Sequence, residues 1–226
     1  MSANLTIQLP PLENGDRLTR HEFERRYEKM PHVKKAELIE GIVYMASPVR
    51  ITYHGRPHAQ VMAWLTAYWV ATPGVDMGDN TTVRLDLDNE PQPDALLRIE
   101  PEVGGNSRIS DDDYIEGAPE LVVEIAASSA SYDLNDKLNV YRRNGVQEYI
   151  VWQIYENRLD WLSLQEGRYI ALEPDEMGII RSQVFPGLWL AVNELREGNL
   201  NEVLAVLQQG LQTVEHQEFV ARLHPN

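Results

Sequence analysis

The sequence contains no cysteine among its 226 residues. Disulfide bonds and thiolate metal sites are therefore both excluded. Any metal site must use carboxylate, imidazole, carbonyl or water ligands, and these ligands favour hard ions such as magnesium, manganese or calcium. A chain without disulfide chemistry is expected in the cytoplasm.

Long apolar runs and a basic leader segment are also lacking. No run approaches the roughly 20 residues of a membrane-spanning helix. The first residues, MSANLTIQLPPLENG, have neither the basic segment nor the apolar core of a signal peptide. A hydrophobic content of 43% with 24% charged residues is typical of a soluble globular protein. The length fits one domain of ordinary core size.

Basic residues are scarce, with 20 Lys and Arg against 35 Asp and Glu and a net charge of -15. Residues 1–60 hold 9 of the basic residues and only 7 acidic ones. Non-specific binding of nucleic acid depends on Lys and Arg that neutralise phosphates, so the net charge weighs mildly against such binding. The uneven distribution nevertheless permits a basic face in the first 60 residues.

The centre of the sequence predicts a strand, a helix and a second strand. Apolar runs at 121–127 and 149–154 are typical of buried strands, and apolar residues between them have helical spacing that ends at Asn144-Gly145, as at a C-cap. The two strands are expected side by side in a covered sheet. An ionised Glu124 inside the first strand is costly unless a cation meets it. That cation is either a bound metal or Lys137 on the following helix.

The remaining sequence predicts short elements around this unit. Thr19 and Glu22 form a possible capping box for a helix to about Met30, and residues 36–46 alternate around a tight turn at Glu40-Gly41. Further elements are expected as a helix over 54–68, strands over 82–87 and 95–99, a hairpin over 157–172 and short strands over 181–192. We expect an arm over residues 1–17, one domain over 18–195, and a helical tail over 196–226 that packs on the body or on a second subunit.

Two acidic positions and one lysine have the residue types of a hydrolytic site. Asp94 opens a predicted strand and Glu124 lies inside another, so neighbouring strands would let both carboxylates meet one divalent cation. Lys137 could reach the same point from the helix. Carboxylates that hold a metal and a lysine that activates water are the parts needed to hydrolyse a phosphodiester. A structural ion pair between Glu124 and Lys137 is the alternative.

Three segments resemble the Uma-two family of restriction endonucleases, a branch of the PD-(D/E)xK nuclease superfamily that is abundant in cyanobacteria. They are QPD, PELVVEI and DLNDKLNVYRRNGVQEYIVW, in that order. LIEGIVYMASP, His54-Gly55 and FPGLWLAV extend the resemblance over about residues 18–195. Its most specific positions are Lys137, Tyr141, Gly145, Val146, Glu148 and Tyr149.

The resemblance implies a restriction-endonuclease-like α/β fold with a mixed central β-sheet flanked by helices, an N-terminal hairpin and a C-terminal helix. It also implies a Mg²⁺- or Mn²⁺-dependent endonuclease that hydrolyses DNA, as a homodimer. The alternative function is a non-catalytic interaction module that keeps this fold.

Site roles carried over from the family fall on four residues. Asp94 and Glu124 match the metal-binding aspartate and glutamate, while Lys137 matches a catalytic lysine moved onto the helix. The superfamily usually has lysine two residues after the glutamate, where this chain has Ala126. Glu40 matches an acidic position that can face the metal, although a plain turn residue before Gly41 is an equal interpretation.

Other polar residues have weaker claims to a function. His54 and His58 are four residues apart, as in some zinc sites, but no nearby carboxylate in the sequence completes such a site. Gln92 is expected either in a turn or near substrate. Ser128 and Ser129 lack the surroundings of a nucleophile and are expected to form a turn.

Overall fold

A computed structural model describes residues 9–46, 48–127 and 130–224. The first eight residues of the predicted arm and the predicted turn at Ser128 and Ser129 lie outside these ranges. Helices are α1 (Arg20–Tyr27), α2 (Arg56–Ala71), α3 (Ala130–Tyr132), α4 (Leu138–Asn144), α5 (Val192–Glu197), α6 (Leu200–Leu211) and α7 (Val214–Leu223). π-Helical turns cover Ile51–Gly55 and Asp133–Lys137, and a 3₁₀ turn covers Pro101–Val103.

The strands are short and distributed along most of the described chain. They are β1 (Ala36–Ile39), β2 (Ile42–Met45), β3 (Val75–Asp79), β4 (Val83–Arg84), β5 (Ala95–Ile99), β6 (Arg108–Ile109), β7 (Ile115–Glu116), β8 (Leu121–Ala126), β9 (Glu148–Gln153), β10 (Arg158–Gln165), β11 (Arg168–Ala171), β12 (Ile179–Arg181) and β13 (Trp189–Ala191). Among the residues described, no helix is both long and apolar enough to cross a membrane.

The central sheet has six strands in the order β11-β10-β9-β8-β5-β3. β8 and β9 are parallel, whereas every other neighbouring pair in this sheet is antiparallel. The prediction of a mixed α/β sheet, with the two central strands side by side and a helix between them in the chain, is therefore confirmed. Gly145 ends α4 in the left-handed conformation (φ 85°) that the Asn144-Gly145 pair predicts.

Alternation along β8 divides its side chains between two cores. Leu121, Val123 and Ile125 enter the larger core, which also contains the apolar faces of α2, α6 and α7. Val122 and Ala126 enter the second core, beneath α4. Because side chains of a strand alternate with period two, Glu124 faces the α4 side together with Val122 and Ala126. The strand itself thus aims this carboxylate at the helix that follows it.

The N-terminal hairpin is attached to the sheet through the segment that leads into β5. β1 and β2 pair across a turn at Glu40 and Gly41, both of which have positive φ (53° and 69°). Leu38 exchanges backbone hydrogen bonds with Glu90 at 3.1 and 2.7 Å. This bridge places β1 beside the residues that precede Asp94.

The C-terminal region covers the larger core but differs from a single helix. α6 and α7 meet at Thr213, whose side chain accepts a hydrogen bond from the His216 backbone N–H and so starts a new helix. Val203, Leu207, Phe219 and Leu223 enter the larger core. α6 also crosses the 185–188 turn so closely that a Cβ on Gly210 would stand 2.2 Å from the carbonyl oxygen of Gly187.

Two local expectations were wrong. The Thr19 side chain makes no capping hydrogen bond, and the Glu22 backbone N–H donates to the Thr19 carbonyl oxygen at 3.1 Å. The Glu22 side chain pairs with Arg25 and Arg26. The strand expected over 82–87 is only β4, since a backbone hydrogen bond from Asp86 N to Asn89 O turns the chain immediately after it.

Glu148 fastens β9 to the loop after β12. Its fully buried carboxylate accepts hydrogen bonds from Trp161 Nε1 (3.1 Å), Ser182 Oγ (2.7 Å), Gln183 N (2.7 Å) and Val184 N (3.3 Å). Residue 148 pairs with Leu121, at the opposite end of β8 from Glu124. Its role in this structure is to hold the fold together.

Glu148→Ala should lower the free energy of unfolding by about 2–4 kcal/mol, because four donors lose their acceptor. Glu148→Gln keeps one acceptor oxygen and should cost less. Urea unfolding monitored by circular dichroism measures both variants. A loss below about 0.5 kcal/mol for the alanine variant, as for an ordinary surface change, would contradict this role.

Candidate active site

A cleft of about 1450 Å³ lies between the hairpin, the Ile51–Gly55 turn and the ends of β5 and β8. This volume exceeds the roughly 300–1,000 Å³ of ordinary small-molecule pockets. The cleft is lined at depth by Glu37, Asp94, Glu124, Asp133 and Lys137. Each of these residues is at most 7% exposed. Three of the four residues singled out from the sequence therefore lie together here, and Glu40 does not line the cleft.

Asp94 extends the ladder between β5 and β8. The paired residues end at Ala95 and Val123, and Asp94 Oδ2 then accepts a hydrogen bond from Ile125 N at 2.8 Å. Its other oxygen lies 3.4 Å from Lys35 Nζ and 3.6 Å from His54 Nε2. One carboxylate oxygen therefore bonds to the backbone of the sheet, while the other faces the cleft, Lys35 and His54.

Glu124 is buried, and its Oε1 has two donors. Lys137 Nζ lies at 2.8 Å and the Tyr141 hydroxyl donates at 2.9 Å. Tyr141 is fully buried on α4, so its ring belongs to the core while its hydroxyl fixes the carboxylate. Its helical spacing predicted a core residue, and nothing in that spacing indicated the hydroxyl contact.

Lys137 closes the π-helical turn between α3 and α4, and its ammonium lies among three carboxylates. Nζ is 2.8 Å from Glu124 Oε1, 2.8 Å from Glu37 Oε1 and 3.8 Å from Asp133 Oδ1. π-Helical turns are rare and are frequent at functional sites. Here the turn carries both Asp133 and Lys137 on the side that faces β8.

The buried charged groups strongly shift one another's pKa values. Burial alone lowers the pKa of Lys137, but the neighbouring carboxylates, above all Glu124 and Glu37, outweigh burial and raise that pKa well above its usual value. Burial also raises the pKa of Glu124 to about 8, against the lowering effect of Lys137 and with support from Asp133 and Asp94. The cluster thus keeps the ammonium charged and has an excess of negative charge, which a proton on Glu124 relieves.

Glu37 is the acidic residue of β1 that enters the cluster. Its Oε1 contacts Lys137 and also accepts a hydrogen bond from Gln92 N at 2.7 Å. Sequence reasoning missed this residue. The signal was present, since Glu37 interrupts the apolar run Ala36–Ile39 in the same way that Glu124 interrupts its own strand.

Glu40 lies at the hairpin turn and is directed elsewhere. Its side chain is 42% exposed and pairs with Arg143 on α4, which also approaches Asp86 at 3.8 Å. Its backbone N–H donates to Asn89 Oδ1 at 2.8 Å.

His54 and His58 stand on the wall of the cleft with stacked rings 5.8 Å apart. His58 Nε2 hydrogen-bonds with the carbonyl oxygen of Asp94 at 3.0 Å and lies 3.1 Å from Asp79 Oδ1. Gln92 donates from Nε2 to Asn80 O at 2.6 Å. These contacts support the backbone around Asp94, so His54, His58 and Gln92 surround the site and do not form one of their own.

The carboxylate oxygens of the cluster are ligands that suit a hard cation, although the side chains are not arranged around one. Within the described part of the chain, no group of three or more His, Asp or Glu side chains could hold a metal ion as they stand. Lys137 occupies the position between the carboxylates of Glu37 and Glu124.

Comparisons with known proteins agree with this architecture. A family model named Uma2 and described as "Putative restriction endonuclease" matches residues 21–193. A solved structure from Anabaena variabilis, described as a "putative nuclease", is similar with a TM-score of 0.56 and 14% sequence identity, over 76% of this chain and 96% of that one. At this identity the likeness shows the fold alone. A search of curated proteins finds no match.

Lys137→Met should destabilise the protein by about 3–5 kcal/mol at alkaline pH, because Glu37 and Glu124 lose their buried counter-charge. Without the ammonium, which lowers the pKa of the Glu124 carboxyl, that folded-state pKa rises further. Stability is then retained where Glu124 is protonated and lost as the pH rises through its pKa, so the variant should suffer less near pH 5.

Chemical denaturation of the wild type and the variant over a range of pH measures this difference. Adding Glu124→Gln to Lys137→Met removes one of the unpaired charges and should restore part of the stability at alkaline pH. An equal loss at every pH would mean that the lysine contributes packing and no charge.

Proposed function

This chain belongs to the Uma2 family, described as "Putative restriction endonuclease", and from that membership and the geometry of the cleft we propose a metal-dependent endonuclease that hydrolyses phosphodiester bonds of DNA. The observation that carries the proposal is the meeting of Asp94, Glu124 and Lys137 at the bottom of one cleft. Asp94 directly precedes β5, Glu124 lies in the adjacent strand β8, and Lys137 lies in the helical segment that follows β8.

The chemistry of the cluster fits a divalent cation. Its ligating atoms are oxygens, which suit Mg²⁺ or Mn²⁺. Among the described residues, its four carboxylates lie within 4 Å of two lysines, Lys35 and Lys137. Asp94 and Glu124 would hold the ion, since each presents a carboxylate to the cleft. When bound, the ion supplies stabilisation of the charge on the scissile phosphate and the leaving oxygen.

The protein's own residues have separable roles in hydrolysis. Water adds to phosphorus, one P–O ester bond breaks, and the products are a phosphate monoester and a hydroxyl group. Lys137 holds its proton strongly, so it orients water and stabilises developing negative charge and does not act as a base. Tyr141 and the Ile125 N–H keep Glu124 and Asp94 in place.

The second candidate is a non-catalytic interaction module that keeps the nuclease fold. The 2.8 Å contact between buried Glu124 and Lys137 favours it, because a closed ion pair is complete without a metal. The net charge of -15 also weighs against nucleic acid as a partner. The homodimer implied by the family and a catalytic role for Glu40 stay predictions; light scattering and Glu40→Gln kinetics test them.

Millimolar Mg²⁺ or Mn²⁺ should raise the melting temperature, and more so at about pH 8.5 than at about pH 6, because Glu124 must release its proton to bind a cation. Glu124→Gln should abolish the shift, whereas Glu148→Gln, a change to a buried glutamate outside the cleft, should keep it. A melting temperature that ignores both ions at every pH would favour the closed ion pair of the interaction module.

Wild-type protein should nick supercoiled plasmid in the presence of Mg²⁺ or Mn²⁺. Asp94→Asn and Lys137→Met should slow nicking by about 10²-fold or more, since each removes a charge that the reaction uses. Asparagine is chosen at position 94 because it keeps an acceptor for the Ile125 N–H.

Asp111→Asn and Lys29→Met, at exposed positions away from the cleft, serve as matched controls and should cut normally. All variants are assayed at a temperature where circular dichroism shows them folded. Cutting that survives in the Asp94 and Lys137 variants would point to a contaminant or to a site elsewhere.

A further inference from the structure

Two tyrosines stand on the rim of the cleft with their rings in contact. Tyr53 and Tyr155 have ring centroids 5.0 Å apart, and the rings are inclined at 47°. Tyr53 is 38% exposed and Tyr155 is 55% exposed. Large aromatic side chains that remain this exposed at the mouth of a polar cleft are candidates for contact with a ligand.

Both rings belong to elements that also carry the candidate site. Tyr53 precedes His54 in the Ile51–Gly55 turn, and His54 reaches Asp94 at 3.6 Å. Tyr155 follows β9, the parallel neighbour of β8, in the turn to β10. A ligand lying on the two rings would therefore approach the carboxylates at the bottom of the cleft.

The charges of the cleft are layered. Acidic side chains lie at its bottom, where Lys35 meets Asp94 at 3.4 Å, whereas the upper lining includes His32, Lys34 and Arg50. Lys34 and Arg50 are exposed. This basic rim stands out on a chain with a net charge of -15. Positive charge beside exposed aromatic rings suits a polymer with phosphates and flat apolar faces.

We propose that the rim selects unpaired nucleotides, so that the substrate is single-stranded DNA or a single-stranded region within a duplex. This inference deepens the proposed nuclease function and rests on it for the identity of the polymer as DNA. Bases in a duplex are stacked on one another and leave no face for a tyrosine, whereas an unpaired base offers its π-face to Tyr53 or Tyr155. Lys34 and Arg50 would contact the phosphates on either side.

Binding can be measured without catalysis, in EDTA, by fluorescence anisotropy. The probes are a labelled oligothymidylate and a blunt duplex of the same number of nucleotides. Wild-type protein should bind the single strand more tightly than the duplex. Tyr53→Leu and Tyr155→Leu should each weaken single-strand binding by about 5- to 100-fold, the magnitude of losing one stacked base, and should change duplex binding little.

Tyr53→Phe and Tyr155→Phe keep a π-face and should bind like the wild type. Trp69→Leu, at an aromatic residue equally exposed at 38% but outside the cleft lining, is the matched control and should also leave binding unchanged. Melting temperatures verify that each variant is folded.

Equal affinity for the two probes, or leucine variants that bind like the wild type, would overturn the inference. Nicking assays with metal separate this failure from failure of the proposed function. If binding depends on the tyrosines but the protein never cuts DNA, the inference about the rim is supported and the proposed nuclease function is rejected. If both leucine variants cut duplex plasmid as fast as the wild type, and single strands are cut no faster than duplex, only the inference about the rim is rejected.

Discussion

The buried ammonium of Lys137 is the interaction on which the cleft depends. It joins β1, through Glu37, to β8, through Glu124, and it carries the charge that lets these carboxylates remain buried. Without it the hairpin would present an uncompensated carboxylate to the sheet. The contact between Lys137 Nζ and Glu124 Oε1 therefore stabilises the fold and also forms the centre of the candidate site. Both proposed functions are argued from this contact.

Support for this centre comes from backbone geometry as much as from side chains. Asp94 replaces a carbonyl at the end of the β5–β8 ladder, Glu37 accepts from the backbone at Gln92, and the π-helical turn directs Lys137 towards β8. Such fixed surroundings pre-organise a charged site, because its groups need not reorient when a phosphate arrives. The rim is less fixed than this centre, since Tyr53 and Tyr155 lie on turns, which can adjust to an approaching DNA strand.

Sequence periodicity predicted the central strand, helix and strand, and the cost of burying Glu124 directed attention to Lys137. Sequence periodicity could not predict that Asp133–Lys137 forms a π-helical turn, because a shift of the backbone hydrogen bonds by one residue does not change the spacing of the apolar residues. Glu37 was missed and Glu40 was named in its place, since either glutamate of a short apolar hairpin can face inwards. Every residue of β1 is buried, so alternation alone does not identify the glutamate that meets Lys137, and only the fold reveals where the hairpin docks.

The C-terminal helices have a consequence for how the molecule is made. The cleft is built from residues 32–155, whereas the larger core beneath the other face of the sheet is completed by Leu207, Phe219 and Leu223. α2 must therefore wait for partners synthesised well over a hundred residues later. Until residues 200–223 emerge during translation, the apolar face of the sheet lacks these partners, and transiently exposed apolar surface of this kind favours aggregation.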